Sequence, residues 1–279
     1  MYRGFKITKE TILKILEENI SYKGKYEYEA NKIKTVIKDK LDEYLLPNNK
    51  IDVAELRNDW FPTDQYDIFI SHSHSDIKEI EALAGYLISV KGLKVFVDSF
   101  IWEYFEDLQK KLDDKYNLNS LGYYDYRGSN WCCNNVSIIL NSALQEVIDK
   151  SEAIFFYNTS NSITHNYKDQ NRTGSPWIFS EIETTRIIRK KLPIRLKPIM
   201  ESQIGFEKRN DVKAEAEFSY WIKSTHLANL DKVTFDKWIG EDINNGFKML
   251  TGLDDESLEI KRGNELDKLY SLTKDEKKG

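Results

Sequence analysis

The chain has 279 residues, with 41 Lys and Arg against 46 Asp and Glu, a formal net charge of −5 and 40% hydrophobic residues. That length suits one well-buried α/β domain with additions at its ends. The interspersed charges lack the basic stripe of a dedicated DNA- or RNA-binding protein, and the longest apolar runs, such as Ala153 to Tyr157, are strand-length and far short of a bilayer span. The expectation is therefore a chain with neither a nucleic-acid nor a membrane partner.

The opening MYRGFKITKE carries no continuous apolar segment of the kind found in secretory signals. The two cysteines, Cys132 and Cys133, are adjacent. A vicinal disulfide is strained and a zinc site needs more ligands, so two reduced thiols in the cytoplasm are the better reading.

Residues 1–60 are expected to be helical and separate in character from the rest of the chain. Ile12, Ile15, Leu16 and Ile20 recur at helical spacing after Thr8, a fitting N-cap, and Ile33, Ile37, Leu41 and Leu45 form a second stripe ending at Pro47. Together they predict a helical hairpin. Asn58 to Gln65 is expected to be a linker. From Tyr66 the grain changes: Tyr66 to Ser71 is a short apolar run fit for a buried strand. A polar turn, His72 to Asp76, leads into a helix with Asp76 as N-cap and Glu79 as its partner. Ile80, Leu83, Ala84, Leu87 and Ile88 lie on one stripe of that helix, and Gly92 ends it.

Leu93 to Val97 reads as the next strand, Trp102 to Tyr116 as a helix, and Asn117 to Asn130 as a loop rich in Tyr, Gly and Asn. Val136 to Lys150 then reads as a helix and Glu152 to Tyr157 as a strand. A polar loop comes next over Asn158 to Gly174, then a helix over Pro176 to Lys190. Strands are expected at Arg195 to Met200 and Phe218 to Ile222, and helices at Phe235 to Leu250 and Ser257 to Thr273. The division expected is an N-terminal helical region over 1–60, a main domain over 61–230 and a C-terminal helical extension over 231–279. Alternating strands and helices predict an open, mostly parallel sheet, whose ligands sit outside the carboxyl ends of the strands.

Three segments at those ends carry chemistry. Ser71, His72 and Ser73 follow a strand directly, where hydroxyls and backbone N–H groups can hold a phosphate or ribose; simple capping of the next helix explains the same residues equally well. Asp98, Ser99 and Trp102 place an acid, a hydroxyl and an indole after the second strand, suited to hydrogen-bonding and stacking on a nucleotide, although Trp102 also suits a core position. Ser175 and Pro176 fix a helix start, with Trp177 and Glu181 at i and i+4 on one face. A carboxylate beside an aromatic wall can stabilise or attack a sugar's anomeric carbon. A solvated Glu in the first turns of a helix is the commoner arrangement.

Taken in order, the Tyr66–Ser71 run, Gly92 to Asp98, and Trp177-x-x-x-Glu181 resemble the first strand, the second strand leading to the BB loop, and the glutamate-bearing helix of Toll/interleukin-receptor-like (TIR) domains. The resemblance spans about Tyr66 to Ile222. It implies a flavodoxin-like open parallel five-stranded sheet, with NAD+ bound as substrate at the strand ends and no metal or other cofactor. In catalytic relatives the nicotinamide–ribose bond is broken, giving ADP-ribose or a cyclised form, often in bacterial antiphage defence. On this chain Glu181 would be the catalytic group, Trp177 a wall, and Ser71 and Asp98 to Trp102 the nucleotide border. Self-association through the TIR domain would complete the site. Asp98-Ser99-Phe100-Ile101-Trp102 departs from the Arg-Asp-x-x-Pro-Gly pattern of many receptor members. A non-catalytic interaction scaffold and a nucleoside deoxyribosyltransferase-like enzyme are the competing readings, since one fold hosts many functions.

Overall fold

A computed structural model describes residues 1–17, 44, 51–60, 65–165, 171–196, 219–240 and 254–273. Its centre is a five-stranded sheet in which every pairing is parallel. The strands are β1 (Arg3–Ile7), β2 (Ile68–Ser71), β3 (Val95–Val97), β4 (Ala153–Tyr157) and β8 (Ala228–Asn229), in the spatial order β3-β2-β4-β1-β8. A small antiparallel sheet joins β5 (Thr164–His165), β6 (Asn171–Thr173) and β7 (Tyr220–Trp221).

Both faces of the large sheet are covered, which is why its central strands β2, β3 and β4 are continuous apolar runs rather than alternating. Ile68, Ile70, Val97, Phe155 and Tyr157 face one layer of helices: α1 (Leu13–Glu17), α3 (Ile77–Ser89), α7 (Lys232–Ile239) and α8 (Asp255–Leu272). Phe69, Phe96, Ile154 and Phe156 face the other, which holds α2 (Val53–Trp60), α4 (Ser99–Tyr116), α5 (Tyr126–Lys150) and α6 (Pro176–Ile187). The α3 stripe behaves as its spacing predicts, with Ile80, Leu83, Ala84 and Leu87 all buried. Gly92 comes after it at φ 71°, the left-handed conformation that lets the chain leave the helix and turn into β3.

The termini depart from expectation. Residues 1–60 are not uniformly helical: Arg3–Ile7 is a strand lying between β4 and β8, and Phe5 and Ile7 are wholly buried in the main core. A strand is also expected at Arg195 to Met200. Ile194–Leu196 is instead a 3-10 turn, and residues 197–200 lie outside the described residues. Of the two predicted N-terminal stripes, Ile12 and Ile15 are buried, while Ile20, Ile33, Ile37, Leu41 and Leu45 fall outside the described residues.

The far end is equally integral. Phe235, Trp238 and Ile239 from α7, with Leu266, Leu269 and Tyr270 from α8, join the same core cluster as β1 and α3. The edge strand is Ala228–Asn229; the strand predicted over Phe218 to Ile222 exists only as Tyr220–Trp221 and belongs to the small sheet. The C-terminal helices therefore cover the sheet rather than extend beyond it. Among the described residues no helix is long and apolar enough to cross a membrane.

Two helices start earlier than their apolar spacing indicates. Helix α4 begins at Ser99, directly after Asp98, so no separate loop stands at Asp98 to Trp102. Helix α5 begins at Tyr126, with the Asp125 carboxylate accepting from Gly128 N at 2.8 Å, ten residues before the predicted start at Val136. The Tyr-rich segment is thus a short connection over 117–125 between two long helices.

Candidate active site

Chain order reverses direction across the sheet at β2 and β4. From β2 the chain moves to its neighbour β3, then returns over β2 through α4 and α5 to reach β4. Such a switch point opens a crevice at the carboxyl ends of the flanking strands. Period-2 alternation then decides which side chains face it. Phe69 and Phe96 point to the α4–α6 layer, so Ser71 and Asp98, two residues further along each strand direction, emerge toward that same layer.

Helix α6 supplies the opposing group. Ser175 Oγ accepts from Ile178 N at 3.3 Å and Pro176 occupies the first turn, as the residue types predict. Ile178, Glu181, Ile182 and Thr185 then form the buried i, i+3, i+4, i+7 stripe. Glu181 is therefore an acid set in a core position, and it is 1% exposed. The Trp177 indole meets Phe105 of α4 edge-on, with centroids 6.2 Å apart, within the apolar cluster of that layer.

Four of the sequence-predicted residues converge. Ser71 Oγ donates to Glu181 Oε2 at 2.5 Å, a buried contact between residues 110 positions apart. His72 Nδ1 lies 2.7 Å from Asp98 Oδ1, with both side chains enclosed, but the two groups are not aligned as a hydrogen bond. Asp98 also lies close enough to Glu181 for the two carboxyls to act on each other. Ser99 is buried beside Asp98, with its Oγ unpaired. Ser73 is half-buried and makes no side-chain capping bond, while the side chain of Trp102 lies outside the described residues.

The electrostatics invert a simple expectation. A carboxylate near a helix N-terminus is favoured as an anion, but that effect fades beyond the first turn, and Glu181 is the sixth residue of α6. Desolvation wins: burial first, then the neighbouring Asp98 carboxylate, push the Glu181 carboxyl well above the usual range, and the Ser71 hydroxyl opposes this without overcoming it. Burial thus favours the protonated carboxyl over the anion.

Nδ1 and Nε2 of His72, Oδ1 of Asp98, Oγ of Ser99 and Oε1 of Glu181 are buried without an aligned hydrogen-bond partner. Buried polar atoms are normally paired, and leaving one unpaired costs about 1–3 kcal/mol. His72 Nδ1 and Asp98 Oδ1 at least lie against each other, so the three that remain, His72 Nε2, Ser99 Oγ and Glu181 Oε1, mark a place suited to a polar ligand or ordered water.

Sequence reasoning misses the anchors around this cluster. Asp76, expected to cap α3, makes no capping bond through its side chain; it accepts instead from Thr159 Oγ1 at 2.5 Å and from Asn161 Nδ2 at 2.6 Å. It thereby ties the turn after β2 to the segment after β4. Glu79 accepts from the Tyr157 hydroxyl and pairs with Lys9, joining α3 to β4 and to the turn after β1. Ser180 Oγ donates to Asn141 Oδ1, fixing α6 on α5. None of these contacts has a local spacing that announces it. Comparison with protein-family models, with curated proteins and with solved structures gives no match for this chain.

Proposed function

We propose that this protein is a TIR-like NAD+ glycohydrolase or ADP-ribosyl cyclase, with Glu181 as its catalytic carboxylate. The observation that carries the reading is the buried hydrogen bond from Ser71, at the carboxyl end of β2, to Glu181 on α6. It sets an acid at the switch point, among unpaired polar atoms able to receive a ribose or phosphate.

The chemistry is governed by charge. The nicotinamide ring of NAD+ is cationic, so its arrival beside Glu181 favours the ionised carboxylate and lowers the raised resting affinity for the proton. As the C1′–N bond breaks, the bonding electron pair moves to the ring nitrogen and nicotinamide leaves neutral, with no acid needed. Positive charge passes to the ribosyl carbon, where the Glu181 carboxylate stabilises it or bonds to it. Water then adds to that carbon and loses a proton to give ADP-ribose, or a nucleophile within the same molecule closes a ring. Ser71 positions Glu181 Oε2, and Asp98 with His72 provides a neighbouring route for the released proton. Substrate reaches a carboxylate this enclosed only when the elements around it part, so binding energy is spent on opening and kcat/KM falls well below the diffusion limit.

The test is nicotinamide release from NAD+ by the full chain, with Glu181→Gln as control. The amide keeps the shape and the bond to Ser71, yet cannot neutralise the ribosyl cation; a loss of about 1,000-fold or more is expected. Release that survives the substitution defeats the assignment.

One observation favours a second reading. The raised proton affinity of buried Glu181 suits protonation of a leaving nucleobase, as in a deoxyribosyltransferase-like reaction, and does nothing for nicotinamide. The two readings slope in opposite directions. NAD+ cleavage requires ionised Glu181 and rises with pH through its elevated ionisation, whereas base transfer from a deoxynucleoside, which consumes the proton, falls over the same range.

A further inference from the structure

The connection between α4 and α5, with the first turns of α5, carries a cluster of exposed apolar side chains. Leu121, Tyr123, Tyr126 and Trp131 are 79%, 70%, 82% and 71% exposed, with Leu118 and Tyr124 about half exposed beside them. Burial elsewhere gives these side chains no reason to be apolar. A patch of this kind exceeds what scattered surface hydrophobics account for.

The backbone beneath them is tightly built. Leu118 and Tyr124 form an antiparallel bridge, Asn119 N donates to Tyr123 O at 2.9 Å, and Asp125 N donates to Asn117 O at 2.8 Å. The Asn119 side chain accepts from the backbone N–H groups of Leu121 and Tyr123 at 2.9 and 3.0 Å. Gly122 takes φ 82°, a left-handed turn residue with open space around it. Gly128 lies so near Asn117 that an added Cβ would sit 2.1 Å from Asn117 Oδ1, locking the start of α5 against the connection. Leu108 and Leu112 of α4 and Val136 and Leu140 of α5 share one buried core cluster below the tip. The result is a rigid platform, and rigid Tyr and Trp side chains offer contact area at little entropic cost on binding.

We propose that this platform is the surface through which two copies of the chain pair, tip to tip about a two-fold axis. Size and charge argue for a second copy. Aromatic side chains present about 150–250 Å² each, so at the exposures given the six residues offer roughly 800 Å², which is what each partner of a standard stable interface buries. Over residues 111–127 the charges balance: Lys111, Lys115 and Arg127 against Asp113, Asp114 and Asp125. A strongly basic or acidic partner would select one sign. A surface carrying both in equal number is complementary to its own two-fold mate. Pairing here gives the self-association expected of a TIR-like domain a surface away from the end of β3, where Ser99 already belongs to α4. Helix α4 runs 18 residues from Ser99 to Tyr116, so the tip stands about 27 Å from Asp98 and the inference is independent of the reaction proposed above.

Sedimentation equilibrium of the full chain between about 1 and 100 μM tests it. The expected result is a monomer–dimer equilibrium that Tyr126→Glu/Trp131→Glu weakens by about 30-fold or more, since buried aromatic anchors carry most of an interface's energy. Leu121→Ser/Tyr123→Ser should act in the same direction, so that one misfolded variant does not decide the matter. Ile260→Glu, at an exposed apolar position on α8, should leave the equilibrium unchanged. A wild-type chain that stays monomeric throughout overturns the proposal, as does a dimer indifferent to both tip variants. A monomer that binds phosphatidylcholine vesicles through the tip overturns it equally, and assigns the patch to a lipid surface.

Discussion

Two buried ionisable side chains set the two halves of this molecule apart. Lys91, at the end of α3, is 0% exposed, and its Nζ donates to Trp238 O and to Glu265 Oε2, each at 2.9 Å, with the Trp238 ring 5.7 Å away. Glu181 is 1% exposed, with one oxygen bonded to Ser71 and the other unpaired. The lysine repays its burial by tying α3 to α7 and α8. The glutamate leaves part of its cost unrecovered, and so do Nε2 of His72 and Oγ of Ser99 beside it. Partnered burial is what scaffolds do. Unpartnered burial persists where a ligand completes the set.

The partnered side of the comparison continues along the seam between the termini. Arg3 donates to Tyr270 O, Thr273 Oγ1 and Thr273 O at 3.2, 2.8 and 3.2 Å, and its guanidinium lies over the Phe5 and Tyr270 rings. Arg195 bridges Glu152 and Asp267, and Tyr270 donates to Glu152 at 3.0 Å. If this seam is scaffold, damage there costs stability and leaves activity per folded molecule intact. The largest effect is expected from Phe5→Ala, which empties a site wholly enclosed between Phe155 and Tyr270 and should cost about 3–5 kcal/mol in denaturant unfolding. A cost near zero would mean that β1 is dispensable to the sheet.

Lys91→Met comes next, at about 3 kcal/mol. Removing the ammonium leaves the Glu265 carboxylate without its partner, although that side chain is 16% exposed and retains some water. An unchanged unfolding midpoint would break the contrast with Glu181.

The smallest effect concerns pH. Asp67 accepts from Lys94 N at 2.7 Å, yet burial raises its carboxyl from 3.8 to about 6 against that bond and the nearby Arg262. The folded state therefore binds this proton more tightly than the unfolded one. Its contribution is complete below about pH 4 and is lost as pH rises through about 6. The ceiling for two units is about 3 kcal/mol, and because the side chain is 19% exposed we expect about 2 kcal/mol or less. Asp67→Asn should flatten stability across that window, as seen in unfolding midpoints at pH 4, 5, 6 and 7; an unaltered pH profile would show that Asp67 is ordinary.

Much of the site is legible without the fold, because it rests on local signals. The apolar run ending at Ser71, the stripe on α3, Gly92, and Ser175 with Pro176 each report a nearest-neighbour preference, and each is realised. Even the burial of Glu181 has a trace, since it lies between Ile178 and Ile182 on one helical face, a pattern that the nearby Trp177 obscures. The hidden part depends on partners far along the chain. Arg-Gly-Phe-Lys-Ile reads poorly as a strand because its two basic residues dilute it; Arg3 finds its place only against Thr273 and Tyr270, and Phe5 only against Phe155 and Tyr270. The two residues of β8 are too short for any pattern. The direct passage from β3 into α4 removes a loop that family resemblance leads one to expect.

The most direct measurement pairs activity with stability in one variant. Glu181→Gln is predicted to abolish nicotinamide release from NAD+ while unfolding at an equal or higher denaturant concentration than wild type at pH 8, because a neutral amide no longer has to ionise in a buried position. A variant that keeps releasing nicotinamide, or that loses stability as Lys91→Met does, would place Glu181 among the scaffold residues and contradict the account.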